Sequence, residues 1–384
     1  MQSLLFLAVL AALVLIMSYS TCNCAQPHWK QSTQPWSGDF SRLVSPSATE
    51  RMKYVKDDGT ETVLHYGQRK LLISEIEFFV KHGVGRKIVV YVGAASGTHI
   101  LILAQMFPEK KFLLYDSQPF AKCIKKHPNI QLNSHLFTDT TAELLAAEHK
   151  PEEMLFISDI RDSNHHTHGP VIAEKRMIDN MHDQLRWFAI LDRRYEQWRS
   201  LLGSTNMPPE HNYEGNLACM LKFKVPFKKG AFRYLDGDLY LPVWGPVKTS
   251  ECRLMIGPGM RKGKFWDQEE HTETLAYFNN VKRCAKYPNE LAGSHGMDEC
   301  YDCTAEVHVV KEYMSKIRRV SDIKMVANFV KNTSSFLRRA LNAPAIDKDV
   351  LQKKIMKKQW GDAPLPGLEG EPAKKRARTD SSDE

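Results

Sequence analysis

At 384 residues, with 42% hydrophobic and 26% charged side chains, the chain has an ordinary globular composition and room for one large α/β domain or two small ones. Its formal charge of +8 fits either a mildly basic protein or one that meets a polyanion such as nucleic acid. The cysteines beyond residue 26 (Cys123, Cys219, Cys252, Cys284, Cys300 and Cys303) are too sparse for a disulfide scaffold, which excludes the small secreted frameworks and suits a reducing compartment.

The first 26 residues hold an apolar run from Leu4 to Met17. It is short for a membrane span and suits a signal-peptide core or short anchor, although no basic residue precedes it. A mistaken gene start or an interfacial segment is the alternative, so a membrane partner stays open. Residues 27–60 are polar and Pro/Ser-containing, a flexible arm. A helix is expected over Gln68–His82, with Leu71, Leu72, Ile76, Phe79 and Val80 on one face. Strand Ile88–Val92, helix His99–Met106 and strand Lys111–Asp116 follow. Next come strand Ile130–Phe137, helix Thr141–His149 and strand Met154–Asp159, then a long helix over Ile172–Leu202 and a loop over Gly203–Gly215. Strands at Leu217–Val225, Asp238–Val243 and Glu251–Ile256 finish the sheet. The rest is helical, around Glu273–Tyr287 and Glu306–Leu341. Alternation of this kind implies right-handed crossovers and a mostly parallel sheet. The tail, residues 346–384, ends in a low-complexity basic and acidic stretch expected to be disordered.

The segment IVVYVGAASGTHI (Ile88–Ile100) carries the first chemical signal. A buried parallel strand runs into a glycine-bearing turn, and the next strand, KFLLYD, stops at Asp116, where a carboxylate can hold a ribose diol. With only two glycines the turn suits S-adenosylmethionine better than a dinucleotide. The second signal is a set of polar residues where packing would favour apolar ones: Lys70, Asp159, Lys222 and Glu251. Lys222 lies inside LACMLKFKV and either faces solvent or is a desolvated lysine with a lowered pKa, able to act as a base.

The ordered succession YGQRKLLISEIEFF, VVYVGAASGTHI, LLYD, FISDIRD, LKFKVPF and TSECRLM resembles the poxvirus-type cap-specific mRNA (nucleoside-2′-O-)-methyltransferases, which double as the small regulatory subunit of a poly(A) polymerase. The resemblance runs from about Tyr66 to Ile256. It implies a Rossmann-like methyltransferase fold over 61–265 with a helical extension over 266–345. It also implies S-adenosyl-L-methionine as cofactor, capped mRNA as substrate, and the catalytic subunit of a poly(A) polymerase as a partner. The family's catalytic tetrad falls on Lys70, Asp159, Lys222 and Glu251, with Lys222 as general base and no metal needed. Its cofactor positions fall on Gln68, Tyr91, Gly93, Gly97, His99, Asp116 and Arg161. Its cap ring falls on Phe227. Three departures stand out: Gln118 replaces an arginine beside the ribose site, Lys248 an aromatic cap residue, and Lys229 an acidic one. Trp244 is either core or a substitute cap ring. A cap-independent, ribosomal-type 2′-O-methyltransferase and a non-catalytic RNA-binding processivity subunit are the alternatives.

Weaker signals remain. Cys300-X-X-Cys303 with Cys284 and His295 is a poor zinc pattern. The run Asn164–His168 reads as a polar loop that touches RNA. Lys374–Arg378 resembles a nuclear import signal, or else a solvated basic tail, in conflict with the cytoplasmic or virion setting that the resemblance implies. Basic residues from Lys311 to Arg339 offer phosphate contacts or a solvated face.

Overall fold

The fold is taken from a computed structural model, which describes residues 35–44, 49–54, 64–125, 127–161, 165–197, 213–246, 248–294 and 297–340. The expectations for residues 1–34, the histidine-run side chains and the 346–384 tail lie outside the described residues. No described helix is long and apolar enough to cross a membrane.

A seven-stranded sheet forms the centre. Strand β1 (Ile88–Val92) lies between β2 (Lys111–Tyr115) and β4 (Met154–Ser158), parallel to both, with β3 (Ile130–Asn133) outside β2. Strand β6 (Ala218–Phe223) runs parallel to β4. Strands β9 (Cys252–Ile256) and β8 (Asp238–Tyr240) complete the order β3-β2-β1-β4-β6-β9-β8, and β9 is antiparallel to both of its neighbours. The fold is therefore α/β with a mostly parallel sheet, Rossmann-like. The chain winds outward from β1 to β3 and then returns to β4 on the other side. A crevice opens where that direction reverses, at the carboxyl ends of β1 and β4. Helices cover both faces of these strands, so β1 and β4 are apolar up to Ser158 and almost wholly buried.

Helix α1 (Leu64–His82) is buried on nearly every side from Leu72 to Val80, not on one face alone. A second helical layer packs over it, which a one-sided pattern does not anticipate. Helices α2 (Ile100–Met106) and α3 (Asp139–Glu148) fall within two residues of expectation. Helix α4 (His165–Leu191) starts earlier than expected because a short helical turn precedes the long helix, the two separated by a kink where Gly169 (φ 70°, ψ 166°) leaves the helical path just before Pro170. Two ribbons were unforeseen: β5 (Tyr213–Gly215) with β10 (Gly259–Arg261), and β7 (Ala231–Leu235) with β11 (Gly263–Asp267). After α5 (Gln268–Tyr277), the helix expected over Glu306–Leu341 proves to be two, α6 (Tyr301–Lys316) and α7 (Ile323–Ala340), broken where Arg319 adopts φ 58°. Part of the expected arm is anchored. The Val44 N–H bonds to Leu239 O (2.8 Å), and Arg42 is buried against Glu77.

Candidate active site

Four strand and helix ends meet at the crevice. Asp159 follows β4, Lys222 is the fifth residue of β6, Glu251 precedes β9, and Lys70 comes from the first turns of α1. Lys222 pairs across the sheet with Arg253 of β9, and directly opposed residues share a face. The sheet thus brings both cations to one side, with the two carboxylates above them. Lys222 Nζ lies 3.2 Å from Asp159 Oδ1 and 3.7 Å from Glu251 Oε2. Lys70 Nζ lies 3.1 Å from Glu251 Oε1. The four residues singled out by sequence are in contact.

Arg253 was not foreseen. Its Nη2 reaches Asp159 (2.8 Å) and its Nη1 reaches Glu251 (3.0 Å), so it braces both carboxylates from below. In sequence it is an unremarkable cation in TSECRLM; only its place opposite Lys222 reveals it. Burial is the main force on Lys222 and moves its pKa below the usual lysine range. Asp159 and Glu251 oppose that fall, while Arg161 and Lys70 add to it. Burial alone would raise the Glu251 carboxyl, but Lys222, Lys70, Arg253 and Arg161 together hold it well below the carboxylate range. Asp159 is lowered in the same way. The cluster therefore holds two firm anions around one lysine that gives up its proton more easily than usual.

The glycine turn sits beside this cluster. Gly93 has φ 78°, and a Cβ there would lie 2.8 Å from Ile160 N, so only glycine allows this backbone approach. Gly97 is also left-handed, at φ 72°. Asp116 accepts the Ala95 N–H (2.9 Å) and the Gln118 N–H (2.8 Å), which fixes its carboxylate at the tip of β2 with further acceptor capacity. Tyr91 and His99 differ from expectation. Both are buried beneath the turn rather than lining it, because Glu75 claims their side chains: Tyr91 donates to Glu75 Oε1 at 2.8 Å, and His99 Nε2 lies 2.9 Å from the same oxygen. Gln68 is drawn into the network, 2.8 Å from His99 Nδ1. Arg161 is directed toward the tetrad side, where Glu251 and Asp159 are its strongest electrostatic partners, and its two Nη atoms are buried without hydrogen-bond partners.

Phe227 lies just past β6, facing a ring that sequence reading missed. Tyr54 of the arm stands 5.7 Å from it, centroid to centroid, tilted by 32°, and donates its hydroxyl to Lys248 O at 3.3 Å. Its signal was faint: one aromatic in a polar stretch far upstream. Trp244 must be corrected. It is fully buried, its indole N–H bonds to Glu306 (2.8 Å), and the Arg69 guanidinium lies 4.3 Å from its ring centre, so it is core and not a cap ring. Cys300 and Cys303 form a helix cap, with Cys300 Sγ accepting the Cys303 N–H at 3.4 Å, and burial raises both thiols. Asp298 is the third member of that cluster; Cys284 is not part of it, and His295 lies outside the described residues.

A family model described as the poly A polymerase regulatory subunit matches residues 45–194. The cap-specific mRNA (nucleoside-2′-O-)-methyltransferases of Myxoma virus, strains Lausanne and Uriarra, are each 27% identical over 345 residues, which is 85% of this chain and 93% of theirs. The poxvirus-type resemblance holds. The matched segment of the family model takes in Tyr54, Lys70, the glycine turn, Asp116 and Asp159, whereas Lys222, Phe227 and Glu251 lie beyond it and within the span of the whole-length relatives. Among solved structures, bluetongue virus VP4, described as a multifunctional RNA-capping production line, is similar at a TM-score of 0.37 with 13% identity, covering 67% of this chain and 38% of that one.

Proposed function

We propose that this protein is an S-adenosylmethionine-dependent RNA ribose 2′-O-methyltransferase acting at the mRNA 5′ cap, with Lys222 as general base. The observation that carries the reading is the desolvated Lys222 ammonium, 3.2 Å from Asp159 and beside the glycine turn. The turn and Asp116 suit the cofactor: Gly93 and Gly97 give the turn its left-handed backbone, packed against Ile160 and Ile124, and the Asp116 carboxylate suits a ribose diol. On this reading Gln68 and Arg161 are further cofactor-contacting positions. When bound, S-adenosylmethionine supplies an electrophilic methyl on a sulfonium.

Lys222, once deprotonated, accepts the 2′-hydroxyl proton as the ribose oxygen forms its bond to the methyl carbon and the carbon–sulfur bond breaks. The proton resides on Lys222, where Asp159 and Glu251 stabilise the ammonium. Lys70 and Arg253 fix Glu251, so the base is aimed rather than merely present. A general base of this kind contributes on the order of a hundred- to ten-thousand-fold, with positioning supplying the remainder.

Replacing Lys222 with Ala is expected to lower transfer of labelled methyl to capped RNA by at least about a hundredfold, with RNA binding unchanged in a gel-shift titration. Retained methyl transfer would refute the assignment. The match to a poly A polymerase regulatory subunit supports a second, compatible reading, an RNA-binding processivity role. Under that reading, Lys222→Ala protein still lengthens the tails made by a poly(A) polymerase.

A further inference from the structure

The turn that enters α6 gathers metal-ligating side chains that methyl transfer does not use. A carboxylate oxygen of Asp298 and the sulfurs of Cys300 and Cys303 all lie within 4.8 Å of one another. Two thiolates each roughly 2.3 Å from a tetrahedral zinc stand about 3.8 Å apart, so the set closes on an ion by moving no more than about 1 Å. Both cysteines are wholly buried, and Asp298 is half-buried. Spacing along the chain pairs these cysteines with Cys284 and His295; the fold supplies a carboxylate instead, two residues before the first thiol.

The backbone around these side chains is arranged as a thiolate site requires. Cys300 caps α6, so its sulfur faces the positive end of the helix and accepts the Cys303 N–H at 3.4 Å. The Asp298 N–H in turn bonds to the Cys303 sulfur. Such N–H···S bonds orient a metal-bound thiolate and stabilise its charge. The Cys300 N–H donates to Asp298 Oδ1 at 2.8 Å, which orients the carboxylate. A carboxylate has about four lone-pair sites, so this bond leaves it able to hold an ion. Zinc with two thiolates and one carboxylate carries one net negative charge, which suits Arg69, an electrostatic neighbour of Cys303. The pair is also spaced for a disulfide, but at 0% exposure neither thiol is open to exchange with a soluble disulfide. A zinc ion, by contrast, is taken up as the chain folds. The donor set is too soft for magnesium or calcium, and its carboxylate is too hard for copper(I).

We propose that Asp298, Cys300 and Cys303 bind a zinc ion, with water as the fourth ligand on the half-buried Asp298 side. The ion ties the turn to the start of α6, the helix whose Asp302 and Glu306 hold Arg283 and Arg69. This site is independent of the methyltransferase reading.

The test uses the full-length protein, purified without chelator from zinc-supplemented medium, with metal content read by plasma mass spectrometry. About one zinc per chain is expected. Protein stripped of metal under reducing conditions and loaded with Co2+ should show sulfur-to-cobalt charge-transfer absorption and the visible bands of a four-coordinate ion. Returning Zn2+ to the stripped protein should raise its melting temperature. Cys303→Ser and Asp298→Ala should each lose zinc and weaken the cobalt bands, whereas Cys284→Ser should keep both. A chain that binds no zinc, a cobalt spectrum without the sulfur band, a Cys300–Cys303 disulfide in the purified protein, full zinc content in both variants, or equal loss in Cys284→Ser would each overturn the proposal. Where a variant fails to fold, the cobalt spectrum of the unaltered chain decides alone. None of these outcomes depends on methyl transfer.

Discussion

In the proposed mechanism Lys222 serves as a base only where its ammonium releases a proton near working pH, and its neighbours pull in opposite directions. Burial, Arg161 and Lys70 lower its pKa, while Asp159 and Glu251 raise it. The rate should be low in acid, where the amine is protonated, and should rise with pH to a plateau through an inflection below the usual lysine range. Removing Lys70 deletes one lowering charge and frees Glu251, its partner at 3.1 Å, to interact more strongly with Lys222. Both effects act in the same sense. Lys70→Met should therefore move the rising limb of kcat/KM to more alkaline pH and lower the activity at neutrality, partly recovered at high pH. An inflection that stays in place would mean that Lys70 does not tune the base. At this scale the sequence was informative where a polar residue interrupted an apolar run, as Lys222 does in LACMLKFKV. It was silent where a charge looked ordinary, as with Arg253, or where the partner ring came from a distant arm, as with Tyr54. Those two roles depend on cross-strand register and on chain return, neither of which local pattern encodes.

The glycine turn depends on the helix beneath it. Helix α1 contributes Gln68 and Glu75, β1 contributes Tyr91, and the residue before α2 contributes His99, all joined by bonds of 2.8–2.9 Å. Both ring nitrogens of His99 face acceptors, and His99 is 1% exposed. Replacing His99 with Ala leaves the buried Glu75 carboxylate with Tyr91 but without its closest basic neighbour. Leaving a buried polar group without one of its hydrogen-bond partners costs about 1–3 kcal/mol, to be read from urea-unfolding midpoints. The same variant should bind S-adenosylhomocysteine more weakly in calorimetry, since the turn loses its underside; unchanged affinity would separate the network from the cofactor site. Strands β1, β2 and β4 were readable because burial on both faces leaves no polar residue in their centres. Strands β7, β10 and β11 were not, because each is short and carries exposed or charged residues, as in GMR and GKFWD. What holds these ribbons is pairing to a partner elsewhere in the chain, which no alternation within three to five residues can announce.

At the scale of the molecule, the helices after residue 265 do more than follow the sheet. Arg69 of α1 is buried in an ion pair with Glu306 of α6 at 2.7 Å, and Trp244 donates to the same carboxylate. Arg283, itself paired with the buried Asp302, donates to Gly245 O at 2.7 Å and Pro246 O at 3.2 Å. Asn279 donates to Thr249 O at 2.9 Å, and His271 Nε2 lies 2.9 Å from Ser250 O. The backbone leading into Glu251 is thus held at Gly245, Pro246, Thr249 and Ser250 by the helical extension, and the described residues form one compact unit. The resemblance implies a methyltransferase fold over 61–265 with the helices as an extension, because sequence marks where strands give way to helices but not what those helices grip. Cutting there would leave Arg69 as a buried guanidinium without Glu306, a loss of about 3–5 kcal/mol for a broken buried pair. The carbonyl groups of Gly245, Pro246, Thr249 and Ser250 would lose these partners as well. A fragment of residues 61–265 should accordingly show no cooperative thermal transition by circular dichroism and no methyl transfer, while the intact chain unfolds with its sheet and extension together. A fragment that folds and methylates would mean that Glu251 is positioned by the sheet alone, through Arg253 and Lys70.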